Sequence, residues 1–112
     1  MTAGERAYII ADMNRADVIA RLKAAEPALR ARGVAALYLY GSYARDEARE
    51  DSDVDVLVEF DPESDKGLLH GYMSPYLYLE EQFPGTEIGY STKEGLVSHY
   101  RPYIEQSAIR IF

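Results

Sequence analysis

The run "LYLYGSYARDEAREDSDVDVLVEF", residues 37 to 60, decides how this chain folds. An apolar segment ends in Gly41-Ser42, ten residues intervene, and Asp53-Val54-Asp55 opens a second apolar segment. "VAALYLY", residues 34 to 40, reads as one buried strand and "DVDVLVEF", residues 53 to 60, as another. Two-residue alternation puts Val54, Val56, Val58 and Phe60 on one face of the second strand. Asp53, Asp55, Leu57 and Glu59 take the other. "SYARDEA" between the strands is a short helix or turn.

Two carboxylates at the lip of a buried strand call for a chemical reason. Asp53 and Asp55 project from one face with backbones roughly 7 Å apart. Like charges held that close repel unless a cation lies between them. Hard oxygen ligands suit Mg²⁺, which keeps positions open for phosphate oxygens. Gly41 ends the first strand where the chain must turn tightly and a ligand can approach the backbone. Ser42 follows at the start of a helical turn, where N–H groups and a hydroxyl suit phosphate. Arg45, about one turn on, adds a cationic donor. Taken singly these signals are weak. A Gly-Ser pair is usually an ordinary turn, and an isolated Asp-x-Asp is more often two solvated carboxylates. Their combination, with a strand on each side, carries the signal.

That combination, Gly-Ser-x10-Asp-x-Asp without a gap, resembles the minimal nucleotidyltransferase family of the DNA polymerase beta superfamily. The likeness extends more loosely over residues 14 to 105, including "LRARGV" before the first strand and "STKEGL" after the third. The resemblance implies a polymerase-beta-like fold. It also implies transfer of a nucleoside monophosphate from an NTP to a hydroxyl, with release of pyrophosphate. By the same resemblance, Ser42 and its backbone hold the nucleotide phosphates, with Gly41 and Arg45 beside them, Asp53 and Asp55 carry two Mg²⁺ ions, and ATP is the substrate. One ion would activate the attacking oxygen and the other would stabilise the leaving group.

Members of that family usually carry a third aspartate on the next strand. Here the stretch is "GTEIGYSTKEGL", residues 85 to 96. Anchoring on "TKEGL" puts the position on Gly89, and counting forward from Gly67 puts it on Glu87. The two residues face the same side of a strand, one pleat repeat or about 6.6 Å apart. Glu87 is thus a catalytic candidate, with an exposed strand glutamate as the plain alternative. Gly89 would mark a lost ligand.

Outward from these motifs, Asn14 is a good helix N-cap with Asp17 at N3. Val18, Ile19, Leu22, Ala25 and Leu29 recur at helical spacing. Pro27 predicts a kink near Glu26, and Gly33 a stop. Residues 1 to 13 read as an N-terminal extension, strand or helix, before a domain over 14 to 112. "DPESDKG" is loop by composition. Ser74-Pro75 looks like an N-cap with proline at N1, predicting a helix over 75–83 with Tyr76, Leu79 and Phe83 on one face. "TEIGYS" predicts a third strand. Ser91 with Glu94 matches a capping box for a helix toward Glu105, and 109–112 a last strand. The order predicts an α+β domain, a small mixed β-sheet flanked by helices.

At 112 residues the chain is one domain with enough surface for a single core. No apolar run approaches the roughly 20 residues of a membrane span, and "MTAGERAYII" lacks a signal-peptide pattern. With no cysteine, thiolate metal sites and disulfides are out. Cytoplasmic location is the expectation. A net charge of −7 argues against direct nucleic-acid binding. His70 and His99 share no metal spacing and read as surface or partly packed side chains. Ten tyrosines fit either packing or an interface, Tyr72, Tyr76, Tyr78, Tyr90, Tyr100 and Tyr103 among them.

By resemblance, stand-alone members of this family are antitoxins paired with HEPN-type RNase toxins, and transfer AMP to a toxin tyrosine. An acidic surface would complement a basic, RNA-binding partner. Two alternatives stand beside this reading. One is a degenerate transferase that neutralises its toxin by binding alone. The other is a transferase acting on a small-molecule hydroxyl, which the lack of an acceptor-binding domain disfavours.

Overall fold

Val54, Val56 and Val58 are completely shielded from solvent, and the fold is built around the face they share. The computed structural model describes residues 13–49, 51–63, 68–93 and 101–112. The valines lie on β2 (Val54–Phe60) of a four-stranded sheet ordered β3-β2-β1-β4. β1 (Val34–Tyr40) runs antiparallel to β2, and β3 (Ile88–Thr92) runs parallel to it. β4 (Ile109–Arg110) pairs antiparallel with the other edge of β1. The sheet is mixed, as expected from the sequence. A parallel pair needs a long crossover, and α4 (Leu68–Gln82) supplies it between β2 and β3.

The helical layer begins with α1 (Arg15–Ala24), whose N-terminus is closed by a reciprocal capping box. The Asn14 side chain accepts from the Asp17 N–H at 2.9 Å, and Asp17 Oδ2 accepts from the Asn14 N–H at 3.1 Å. Val18 and Leu22 point into the core. The break expected at Pro27 occurs at Ala25, which joins α1 to α2 (Glu26–Ala31) with the proline in the first turn. Gly33, at φ +93°, then reverses the chain into β1. α1, α2 and α4 contribute Val18, Leu22, Leu29 and Leu79 to one cluster with the β2 valines, Leu37 and Leu39.

Three element predictions need correction. α4 does not start at Pro75: it already runs from Leu68, and Pro75 lies inside it, fully buried. The proline cannot donate to the carbonyl of Gly71. However, Gly71, Pro75, Leu79 and Phe83 form the buried stripe at four-residue spacing, so core packing outweighs the missing hydrogen bond. Ser91 is likewise no N-cap. It sits in β3 opposite Leu57, and the nearest described helix there is α5 (Arg101–Ser107). β3 starts two residues later than "TEIGYS" suggests, so Thr86 and Glu87 precede it.

The tyrosines are largely packing elements. Tyr72 lies 6.1 Å from Phe60 and 6.0 Å from Tyr90, and Tyr76 lies 5.6 Å from Tyr90, between α4 and β3. Arg32 stacks over Tyr78 at 4.5 Å. The Tyr90 hydroxyl donates to the Tyr72 carbonyl at 2.7 Å, and burial holds its pKa far above the usual range. The expectations for residues 1 to 12, and for the side chains of His70, His99, Tyr100 and Tyr103, lie outside the described residues. No described helix is long and apolar enough to cross a membrane.

Candidate active site

The sheet face opposite the valines carries the polar residues singled out in the sequence, and its centre lies where β1 gives way to α3 (Gly41–Ala44). Gly41 has φ +75°, a left-handed conformation that lets the chain turn directly from strand into helix. Tyr43 and Ala44 are buried and pin this turn to the domain. Ser42 is left half-buried and Arg45 exposed. The first turn of any helix leaves backbone N–H groups without intrahelical acceptors, and here they adjoin the Ser42 hydroxyl. Asp46, at φ 59°, turns the chain again. Ser52 then closes the loop ahead of Asp53, accepting from the Arg49 N–H at 2.7 Å and donating its own N–H to the Arg49 carbonyl at 3.0 Å.

Tyr40, Asp55 and Gly89 form one row across three strands, because Asp55 is opposite Tyr40 in one ladder and Gly89 in the other. The Asp55 carboxylate lies between two glycines. A Cβ on Gly41 would run into Oδ2 and come to 3.0 Å from Cγ. A Cβ on Gly89 would run into Oδ1 and come to 3.3 Å from Cγ. Burial, and then the charge of Asp53, push the Asp55 carboxyl up to about 6, while Arg45 pulls it down. Asp53 itself is exposed. Asp53, Asp55 and Arg45 therefore share one electrostatic neighbourhood. Arg45 also donates from Nε to Glu47 Oε2 at 3.2 Å.

This donor set suits a divalent ion. An anion disfavoured by burial and by a like charge gains from a cation beside it. Two carboxylates leave most of an octahedral Mg²⁺ shell to water and phosphate.

The two positions considered for a third carboxylate separate cleanly. Gly89 is the ladder partner of Asp55. Glu87 lies just ahead of β3, exposed, with its carbonyl accepting from the Val54 N–H at 2.9 Å. Its charge is felt at Tyr76, whose pKa is raised first by the hydrogen bond to Glu80 and least by Glu87. Among the described residues, no three of His, Cys, Asp and Glu come together as a metal-binding group. Two residues not named as site candidates from the sequence join the site. The Tyr40 hydroxyl shares a 3.2 Å hydrogen bond with Ser91 Oγ. Its pKa is raised, mainly by burial and also by Asp55. Their signal was positional: Tyr40 ends β1, and Ser91 lies two residues beyond Gly89 on the same face.

The nucleotidyltransferase domain family matches residues 22–111. The chain belongs to this family. Over 74 residues this nucleotidyltransferase is 36% identical to a Methanocaldococcus jannaschii protein provisionally named protein adenylyltransferase, spanning 66% of this chain and 69% of the relative. A solved structure provisionally described as a minimal nucleotidyltransferase superposes with a TM-score of 0.72 at 32% identity, covering 88% of this chain and 96% of that one. The fold expected from the Gly-Ser and Asp-x-Asp motifs is thus the fold found. A toxin–antitoxin crystal structure with AMP-PNP superposes with a TM-score of 0.61, covering 89% of this chain and 73% of its own. At 15% identity, what that structure shares with this nucleotidyltransferase is the fold.

Proposed function

We propose that this nucleotidyltransferase is the antitoxin of a toxin–antitoxin pair and transfers AMP from ATP to a tyrosine hydroxyl of a HEPN-type RNase toxin. The observation that carries the chemistry is the closeness of the Asp55 carboxylate to Gly41, where a Cβ would run into Oδ2. It puts a metal-type carboxylate directly against the turn whose N–H groups suit phosphate, so cation and triphosphate would share one spot. The name of the M. jannaschii relative supports adenylyl transfer to protein. The toxin–antitoxin likeness supports a protein partner.

In this reading Gly41, Ser42 and Arg45 hold the phosphates, and Asp53 and Asp55 hold two Mg²⁺ ions. The metal, when bound, offsets charge on the reacting phosphates. The acceptor oxygen bonds to the α-phosphorus as the bond to the pyrophosphate oxygen breaks, and pyrophosphate leaves. Glu87, exposed just ahead of β3, is the carboxylate offered for the hydroxyl proton. The work of the protein is positioning and electrostatics. Location in the cytoplasm, with its ATP, belongs to the same proposal.

The test incubates the protein with α-labelled ATP, Mg²⁺ and the product of the neighbouring gene. Label should appear on the partner, at tyrosine, and vanish with Asp53→Ala. Separation of the two carboxylates from any third one among the described residues favours a second reading, neutralisation by contact alone. A stable complex without label, unaffected by loss of both aspartates, would decide for it.

A further inference from the structure

Gly89 raises a question that its backbone does not answer. A glycine inside a strand weakens it unless something approaches closely. Gly41, Gly33 and Gly85 adopt positive φ, but Gly89 does not. Its conformation is ordinary strand, open to any residue. What a side chain there would meet is the Asp55 carboxylate, whose Oδ1 would have to shift to admit a Cβ. The obstruction is confined to Asp55: the contacts are its Oδ1, its Cγ at 3.3 Å and its Cα at 3.6 Å, the last an ordinary separation. On its other side the same carboxylate takes the room that a Cβ on Gly41 would need.

We propose that Gly89 is a positioning residue. By carrying no side chain it seats the Asp55 carboxylate between β1 and β3, and so makes a two-carboxylate site for a divalent cation. Asp55 takes the room that a carboxylate on β3 would need. Gly89 is then a condition of the site as built, not a gap in it. A carboxylate at position 89 evicts Asp55 from its seat and places a like charge beside it. The cation half of this proposal rests on the transfer reading above, whereas the seating of Asp55 does not.

The seating is tested by melting four proteins: the parent, Gly89→Ala, Asp55→Ala and the double variant. A methyl at 89 should lower the melting temperature of the parent by about 4 °C or more. In the Asp55→Ala background it should leave it unchanged or raise it, since alanine suits a strand better than glycine. Equal shifts in both backgrounds would overturn the seating. Mn²⁺ titration without nucleotide, followed by electron paramagnetic resonance, tests the cation site. Gly89→Ala and Gly89→Asp should each weaken binding at least about tenfold while circular dichroism stays that of the parent. Tighter binding by Gly89→Asp would show position 89 to be a lost ligand and overturn the proposal. Failure of the parent to bind Mn²⁺ sinks the transfer reading and the cation half together, while the melting cycle still decides the seat of Asp55.

Discussion

Burial and the neighbouring Asp53 charge push the Asp55 carboxyl up to about 6, against an ordinary value of 3.8 in the unfolded chain. Since the folded-state value is the higher one, ionisation favours unfolding. Asp55 costs no stability below about pH 4, and its cost grows as pH rises from there through 6. Relative to the parent, Asp55→Asn should therefore be more stable at pH 7 than at pH 4. The gain is about 1 kcal/mol once solvent screening of a half-buried group is allowed for. Urea titrations at the two pH values measure it. In the proposed site proton and cation would compete for the same oxygens, so Mg²⁺ affinity should fall as pH drops below about 6. An affinity flat from pH 5 to 8 would remove Asp55 from the metal site. The carboxylate pair itself was legible, because strand alternation alone puts Asp53 and Asp55 on one face. The two glycines that confine Asp55 were not, since only the sheet register brings Gly41 and Gly89 to the same side chain.

Among the elements, those specified by local chemistry were read from sequence most closely. β1 has the expected bounds, and β2 starts one residue later than expected. α1 opens at Asn14 because the capping chemistry is contained within four residues. Replacing that cap tests its worth. Asn14→Ala should lower the unfolding free energy by about 1 kcal/mol in urea, with no effect on Mn²⁺ binding. Where the reading missed, a local pattern competed with a distant partner. Ser74-Pro75 has the signature of a helix start, but the core needs the Gly71–Pro75–Leu79–Phe83 stripe. Ser91 and Glu94 match a capping box, but Ser91 is paired with Leu57 and bonded to Tyr40.

For the molecule as a whole, the core decides stability and the open face decides chemistry, and the two can be perturbed separately. Leu79 carries α4 onto the sheet with no exposed surface. Leu79→Ala should cost about 2–5 kcal/mol, seen as a lower urea midpoint at nearly unchanged slope, while folded protein keeps its Mn²⁺ affinity. Loss of that affinity in the folded variant would show the two faces to be coupled. The sheet order has a further consequence, for biosynthesis. Leu39 pairs with Ile109, and Leu37 exchanges hydrogen bonds with Ile111 and Phe112. β1 thus receives one neighbour soon after it is made and the other much later. While the intervening residues leave the ribosome, one apolar edge stays open to foreign strands. A nascent chain of this design is exposed to misassembly until residues 109–112 emerge, and it is in that interval that a chaperone would be of most use.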